Sequence, residues 1–267
     1  MNLEILISTS FTRLEQALKL ATKAHKENTN LKFLIVCQLF DKPVDLKTKD
    51  EDSEWLKVIY SSTRGLAKSR NIALKHATEK YVWILDDDVE IKVEAIEAII
   101  SKFEESNADF VTAQYEIENG VTFKKYMVES KNHTLMSIMK VSSIEIFLKK
   151  SAFIERGILF DERFGLGATY KSGEENIILS DALKYGLVGQ YLPISTSIHP
   201  AITSGNRFDE PVTISSKGAL IKRVFGVKGF MLLIPFYFKK LLQGHFRKIG
   251  GVNALKYIMN GFIRFKS

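Results

Sequence analysis

At 267 residues, 45% apolar and 26% charged, the chain has an ordinary globular composition and length enough for one sizeable core. Cys37 is its single cysteine, which excludes an intramolecular disulfide and a cysteine-based metal cluster and agrees with a reducing cytoplasm. The net charge of +7 is uneven: residues 212–267 carry eleven Lys and Arg and no Asp or Glu, leaving 27 basic against 31 acidic residues elsewhere.

The start, Met1 to Ile7, lacks the basic n-region of a secretory signal and reads as a first strand over Leu3–Ser8. A helix follows over Leu14–Lys26, then a strand over Lys32–Gln38 and a polar loop over Asp41–Glu54 that contains Pro43. Strand, helix and strand are expected over Trp55–Tyr60, Leu66–Ala77 and Tyr81–Leu85. Val93, Ile96, Ile99, Ile100 and Phe103 fall at helical spacing and predict an amphipathic helix over Lys92–Glu104. Asp109–Gln114 is the next strand. This alternation predicts an α/β domain with a mostly parallel sheet flanked by helices, and such sheets take ligands beyond the carboxyl ends of their strands. Glu116–Lys140 has no clear period. Beyond it come a strand over Ser142–Leu148, turns over Phe160–Gly165, a helix over Asn176–Tyr185, and strand material over Leu187–His199 broken at Pro193.

Tyr81 to Leu85 is five apolar residues running straight into Asp86, Asp87 and Asp88. Three adjacent carboxylates repel one another, and a divalent metal carrying a phosphate ligand neutralises them. The same residues also suit a solvated acidic turn ahead of a helix. Upstream, Gly65 permits a tight entry into a helix, and Arg64, Lys68 and Arg70 gather near its N-terminus. That is either an anion site or an exposed basic helix face.

Gly65-Leu66-Ala67-Lys68-Ser69-Arg70-Asn71, then a helix, then the strand ending in Asp86-Asp87-Asp88, resembles family 2 glycosyltransferases of the GT-A fold. Phe160-Asp161-Glu162-Arg163-Phe164-Gly165 followed by Gly173-Glu174-Glu175 is similar to later signatures of that family. The resemblance covers roughly residues 1 to 205. It implies a Rossmann-like nucleotide-binding domain over 1–210 and inverting transfer from a nucleotide-sugar donor to a hydroxyl of a glycan or lipid-linked glycan. It implies Asp86 and Asp88 as the paired acids of the metal site, with Asp88 on a manganese or magnesium ion and Asp86 nearer the ribose. Asp87 assists that pair or faces the core. Glu175 takes the position of the base, where the family normally has Asp, with Glu174 beside it. His199 stands where some members place a further metal ligand, and a packing role is the alternative. Ser8, Thr9, Arg64, Arg70 and Asn71 fall with the donor-binding segments. Gln38 replaces an Asp that commonly contacts the base. Its amide both donates and accepts, so it suits a uracil or thymine edge or a different base.

In the tail, Gly229–Phe238 is apolar but ten residues long and holds Pro235, too short to span a membrane. Basic helices with aromatics over 211–267 suit an anionic membrane surface, or a helix pair packed on the domain with basic outer faces. No nucleic-acid reader motif is present. Together with such a tail, the resemblance implies bacterial surface polysaccharide assembly (capsule, lipopolysaccharide or O-antigen) by a cytoplasmic enzyme peripheral to the inner face of the cell membrane. The alternatives are a haloacid-dehalogenase-like magnesium phosphatase, for which Glu90 stands in place of the usual Thr or Val, and a non-catalytic nucleotide-sugar or membrane-surface binding protein.

Overall fold

The computed structural model describes residues 2–39, 53–117, 120–122, 124–200 and 210–266. Most of the loop expected over Asp41–Glu54 lies outside the described residues. In chain order the elements are β1 (Leu3–Ser10), α1 (Leu14–Glu27), β2 (Lys32–Gln38), β3 (Leu56–Ser61), α2 (Leu66–His76), β4 (Tyr81–Leu85), β5 (Glu90–Ile91), α3 (Ile96–Glu105) and β6 (Phe110–Ile117). Then come β7 (Val121–Thr122), β8 (Lys131–Asn132), β9 (Ile146–Lys149), α4 (Lys150–Ile154), α5 (Glu174–Lys184) and β10 (Gly189–His199). Three helices close the chain: α6 (Pro211–Phe225), α7 (Phe230–Leu242) and α8 (Gly251–Arg264).

Among the described residues the strands form one ten-stranded sheet, ordered β3-β2-β1-β4-β9-β6-β10-β5, with β7 on β6 and β8 on β10. The half from β3 to β4 is parallel, as the sequence predicts. The other half is mixed, because β9 runs antiparallel to both β4 and β6. Strand direction is set by how the chain returns to the sheet, which an apolar run does not encode.

Strand alternation feeds two cores. Ile5, Ile7, Phe33, Ile35, Trp83 and Leu85 face α1 and α3, whereas Leu6, Leu34, Val36, Val82 and Ile84 face α2, α4 and α5. Leu14, Ala17, Ala21 and Ala24 give α1 a narrow buried stripe; Ile96, Ile99, Ile100 and Phe103 do the same for α3. The predicted helix at Lys92 begins instead with a 3₁₀ turn over Val93–Ala95, and the predicted strand at Ser142 with another over Ser143–Glu145. In the latter, Ser142 and Glu145 form a capping box that holds the turn, so the strand starts only at Ile146. Pro193 does not break β10. The strand shifts register against β6 between Tyr191 and Ser195, so the proline sits in an irregularity where no ladder bond is required of it.

The C-terminal helix α6 packs on the sheet domain. Ala219, Leu220 and Val224 join Phe164, Ile177 and Phe265 in one buried cluster. The Arg223 guanidinium donates to both carboxylate oxygens of Asp181 on α5, at 2.9 and 2.6 Å, and to Asp161 at 2.9 Å. Helices α6 and α8 meet backbone to backbone: a Cβ on Gly218 would lie 2.0 Å from the Ile258 carbonyl oxygen, and one on Gly261 would lie 1.9 Å from that of Ser215.

Candidate active site

The buried β4 delivers Asp86, Asp87 and Asp88 to the carboxyl edge of the sheet. Because β9 reverses between β4 and β6, the parallel pair β6 and β10 runs in the same direction as β4. The end of β10 therefore reaches the same edge, which brings His199 to Asp88. His199 Nε2 lies 3.5 Å from Asp88 Oδ1, and its Nδ1 lies 2.7 Å from the Pro200 carbonyl oxygen. A carbonyl only accepts, so Nδ1 is the donor there and Nε2 is the ring nitrogen turned toward the carboxylates. One potential ligand atom from each of Asp86, Asp88 and His199 lies within 4.8 Å of the other two. Two carboxylates and an imidazole form a donor set fit for a divalent cation.

Asp87 is not one of that cluster and takes other partners. It is buried, accepts a short hydrogen bond from the Thr9 hydroxyl at the end of β1, and pairs with Arg13 at 2.5 Å. Arg13 reaches Asp88 as well, at 3.0 Å. Burial lifts the Asp87 carboxyl above the usual carboxylate range, against the opposing pull of Thr9 and Arg13. Asp87 thus braces the acidic turn to β1.

Gly65 caps α2 at φ 133°, backbone that favours glycine, and its N–H donates to Gln38 Oε1 at 2.8 Å. The Gln38 side chain is buried and holds the entry to α2. One turn on, Arg70 is buried with both terminal nitrogens committed: Nη2 donates to Asp86 Oδ1 at 3.0 Å, Nη1 to Glu174 Oε1 at 2.9 Å. Asn71 latches the segment before α5. Its Nδ2 donates to Phe160 O at 3.0 Å and Glu162 Oε1 at 3.2 Å, and its Oδ1 accepts from Phe160 N–H at 2.8 Å. Ser8 lies at the end of β1 with a buried hydroxyl, and Arg64 is exposed with its stem against Gly167.

Glu174 and Glu175 open α5. Glu174 is buried on Arg70, and its Oε2 has no hydrogen-bond partner among the described residues. Glu175 is half-buried beside it. Desolvation pushes the Glu175 carboxyl up to about 8, and the neighbouring Glu174 charge adds to the rise. A carboxyl poised there is suited to accept a proton near neutral pH. The structure therefore brings Thr9, Arg70, the three aspartates, His199 and Glu174 into one connected network, with Glu175 at its edge. Two residues of this region escape the sequence reading. Arg13 belongs to the turn after β1, and its position past the carboxyl end of a predicted strand was the available signal. Lys217 is visible in sequence only as one charge of the tail, yet its Nζ donates to Ser172 Oγ at 3.0 Å, in the segment that leads into α5.

Residues 46–162 match the family described as glycosyl transferase family 2. A search of the curated proteins gives no match. Among solved structures, S. aureus TarS 1–349 superposes with a TM-score of 0.67 at 19% identity, covering 98% of this chain and 81% of that one. The same protein in complex with UDP-GlcNAc gives 0.66 at 18% identity, covering 98% of this chain and 82% of that one. A longer TarS chain gives 0.62 at 19% identity, covering 90% of this chain but 43% of its own length. The chain therefore shares the fold of those structures, and its residues 46–162 are similar to glycosyl transferase family 2.

Proposed function

We propose that the chain transfers a sugar from a nucleoside-diphosphate donor to a glycan hydroxyl, with inversion at the anomeric carbon, in assembly of a bacterial surface polysaccharide. The observation that carries this reading is the link Asp86–Arg70–Glu174, which fixes the Asp86, Asp88 and His199 cluster relative to Glu175. Asp86, Asp88 and His199 would hold manganese or magnesium, which when bound neutralises charge on the leaving diphosphate. Glu175 takes the acceptor hydroxyl proton as that oxygen bonds to the anomeric carbon. The bond from that carbon to the phosphate oxygen breaks, and the nucleoside diphosphate leaves with the electron pair. Uridine donors are the first class to examine, because the TarS structures include complexes with UDP and UDP-GlcNAc.

A lipid-linked acceptor at an anionic membrane, on its cytoplasmic face, suits the C-terminal helices. Met231, Ile234, Phe238 and Leu242 lie along one side of α7, between 52% and 86% exposed, next to Lys239 and Lys240. An exposed apolar row beside lysines is the pattern of a helix lying in a lipid surface. Among the described residues no helix is long and apolar enough to cross a membrane.

The test is a panel of nucleotide sugars with and without manganese or magnesium, following both free nucleoside diphosphate and the anomer of the product by NMR. Metal-dependent release of nucleoside diphosphate with an inverted product supports the reading. Cleavage of phosphomonoesters instead supports a phosphatase, and donor binding without turnover supports a non-catalytic binder.

A further inference from the structure

Arg13 is a cation at the unfavourable end of a helix. The 3₁₀ turn Phe11–Arg13 carries the chain from β1 into α1, and Arg13 stands just ahead of the first helical residue, at the positive end of the α1 dipole. The acidic turn after β4 holds it there. Arg13 Nη2 lies 2.5 Å from Asp87 Oδ1 and 3.0 Å from Asp88 Oδ2, so one nitrogen bridges two successive carboxylates. Asp87 is a fixed post for that bridge, because it is buried and its other oxygen accepts from the Thr9 hydroxyl.

The bridge divides the two oxygens of Asp88. Oδ2 is taken by Arg13, while Oδ1 lies 3.5 Å from His199 Nε2. Asp86 is treated alike: its Oδ1 accepts from Arg70 Nη2 at 3.0 Å. His199 in turn is held through Nδ1 by the Pro200 carbonyl oxygen. Each of Asp86, Asp88 and His199 thus has one atom engaged from outside the cluster, the arrangement by which outer partners orient the ligands of a metal. Arg70 is buried and bonds Glu174 as well, whereas the Arg13 side chain is 45% exposed, so Arg13 is the one that can be replaced without opening the core.

A carboxylate with both oxygens free can chelate. Calcium is large, takes many oxygens and accepts carboxylates through one oxygen or both, whereas magnesium and manganese suit a tight octahedron. We propose that Arg13 is a specificity-determining residue of the metal site: by holding Asp88 Oδ2 it leaves Asp88 a single oxygen for the ion, and so favours manganese or magnesium over calcium. The inference rests on Asp86, Asp88 and His199 holding a divalent ion. A bare counter-charge at this position would weaken every divalent ion by the same factor, so the preference between ions separates the two roles.

The test uses full-length wild type, Arg13→Met, and Arg13→Lys, which keeps a cation able to bridge. Binding of manganese alone is followed by EPR of the free ion, and calcium is read by its displacement of bound manganese. In Arg13→Met the preference for manganese over calcium falls about tenfold, the low end of what the loss of an outer partner costs a metal site, and Arg13→Lys restores it. Should stranding the buried Asp87 unfold Arg13→Met, the same comparison is made with Asp87→Asn added to it. Both ions bound more tightly by one factor would make Arg13 a counter-charge only, and unchanged binding of both would reduce it to a surface ion pair; either result overturns the proposal. No manganese bound by wild type would overturn the metal reading itself, whereas manganese bound with an unmoved preference overturns this inference alone.

Discussion

Arg70 and Glu174, 104 residues apart, form a 2.9 Å ion pair in which only 2% and 6% of the two side chains are exposed. The other end of the guanidinium holds Asp86 at 3.0 Å. One buried cation thus joins the acidic turn after β4 to the helix that carries Glu175. Glu174 cannot lose the arginine without leaving charge in a dry place, whereas Asp86 stays in reach of solvent.

Arg70→Met should destabilise the fold by about 3–5 kcal/mol, since it strands a buried carboxylate. Urea unfolding at pH 7 measures this. Adding Glu174→Gln should recover part of the loss, as expected for two residues in direct contact. A single mutant as stable as wild type would show that the pair bears no structural load.

Glu175→Gln should lower kcat by about 10²-fold or more while leaving donor KM nearly unchanged. The raised carboxyl also has a stability signature. Its folded value, about 8, lies above that of an unfolded glutamate. The folded state therefore binds the extra proton, and the contribution is full below the unfolded value and lost as pH rises through about 8. Wild-type stability should fall across that window, and Glu175→Gln should flatten the slope. Parallel slopes in the two proteins would contradict the desolvated carboxyl.

Asp88→Asn should abolish the manganese-dependent rise in melting temperature on adding UDP, because it removes a charged oxygen from the ligand set. Folding without metal should survive, since repulsion within the acidic turn falls. His199→Ala should weaken manganese more than magnesium, imidazole being the softer donor. Equal losses for the two ions would take His199 out of the set.

A chain cut after residue 210 should aggregate or unfold, because it exposes Phe164 and Ile177 and leaves Asp181 without Arg223. Changing Met231, Ile234, Phe238 and Leu242 to serine should act differently. The melting temperature should hold while sedimentation with anionic vesicles is lost, and binding by the intact chain should weaken with salt, given a Debye length of about 8 Å at physiological ionic strength. Vesicle binding that survives the serine changes would move the contact elsewhere.

The strands of the nucleotide half were legible because continuous apolar runs such as Phe33–Val36 and Val82–Leu85 can be buried on both faces of a sheet. The acidic turn was legible for the opposite reason, as charge placed where burial should continue. Other features were not. β9 spans four residues behind a 3₁₀ turn, and no local pattern gives its direction. Arg70 reads in sequence as a cation available to an anionic donor, because nothing local shows that Glu174 lies within 2.9 Å of it. The extension's positive charge was plain, but charge counts carry no address, so the seating of Lys217 on Ser172 and of Arg223 on Asp161 and Asp181 had to come from the fold.

The close approach of α6 and α8 at Gly218 and Gly261 bears on descent. Each position lacks space for even a methyl group because a carbonyl oxygen of the facing helix occupies it. A relative that keeps α8 seated on α6 in this way must keep both glycines; one that has replaced either has moved or discarded that helix pair. The two glycines are thus a marker by which lineages that keep the α6–α8 pair closed can be told from those that have let it open.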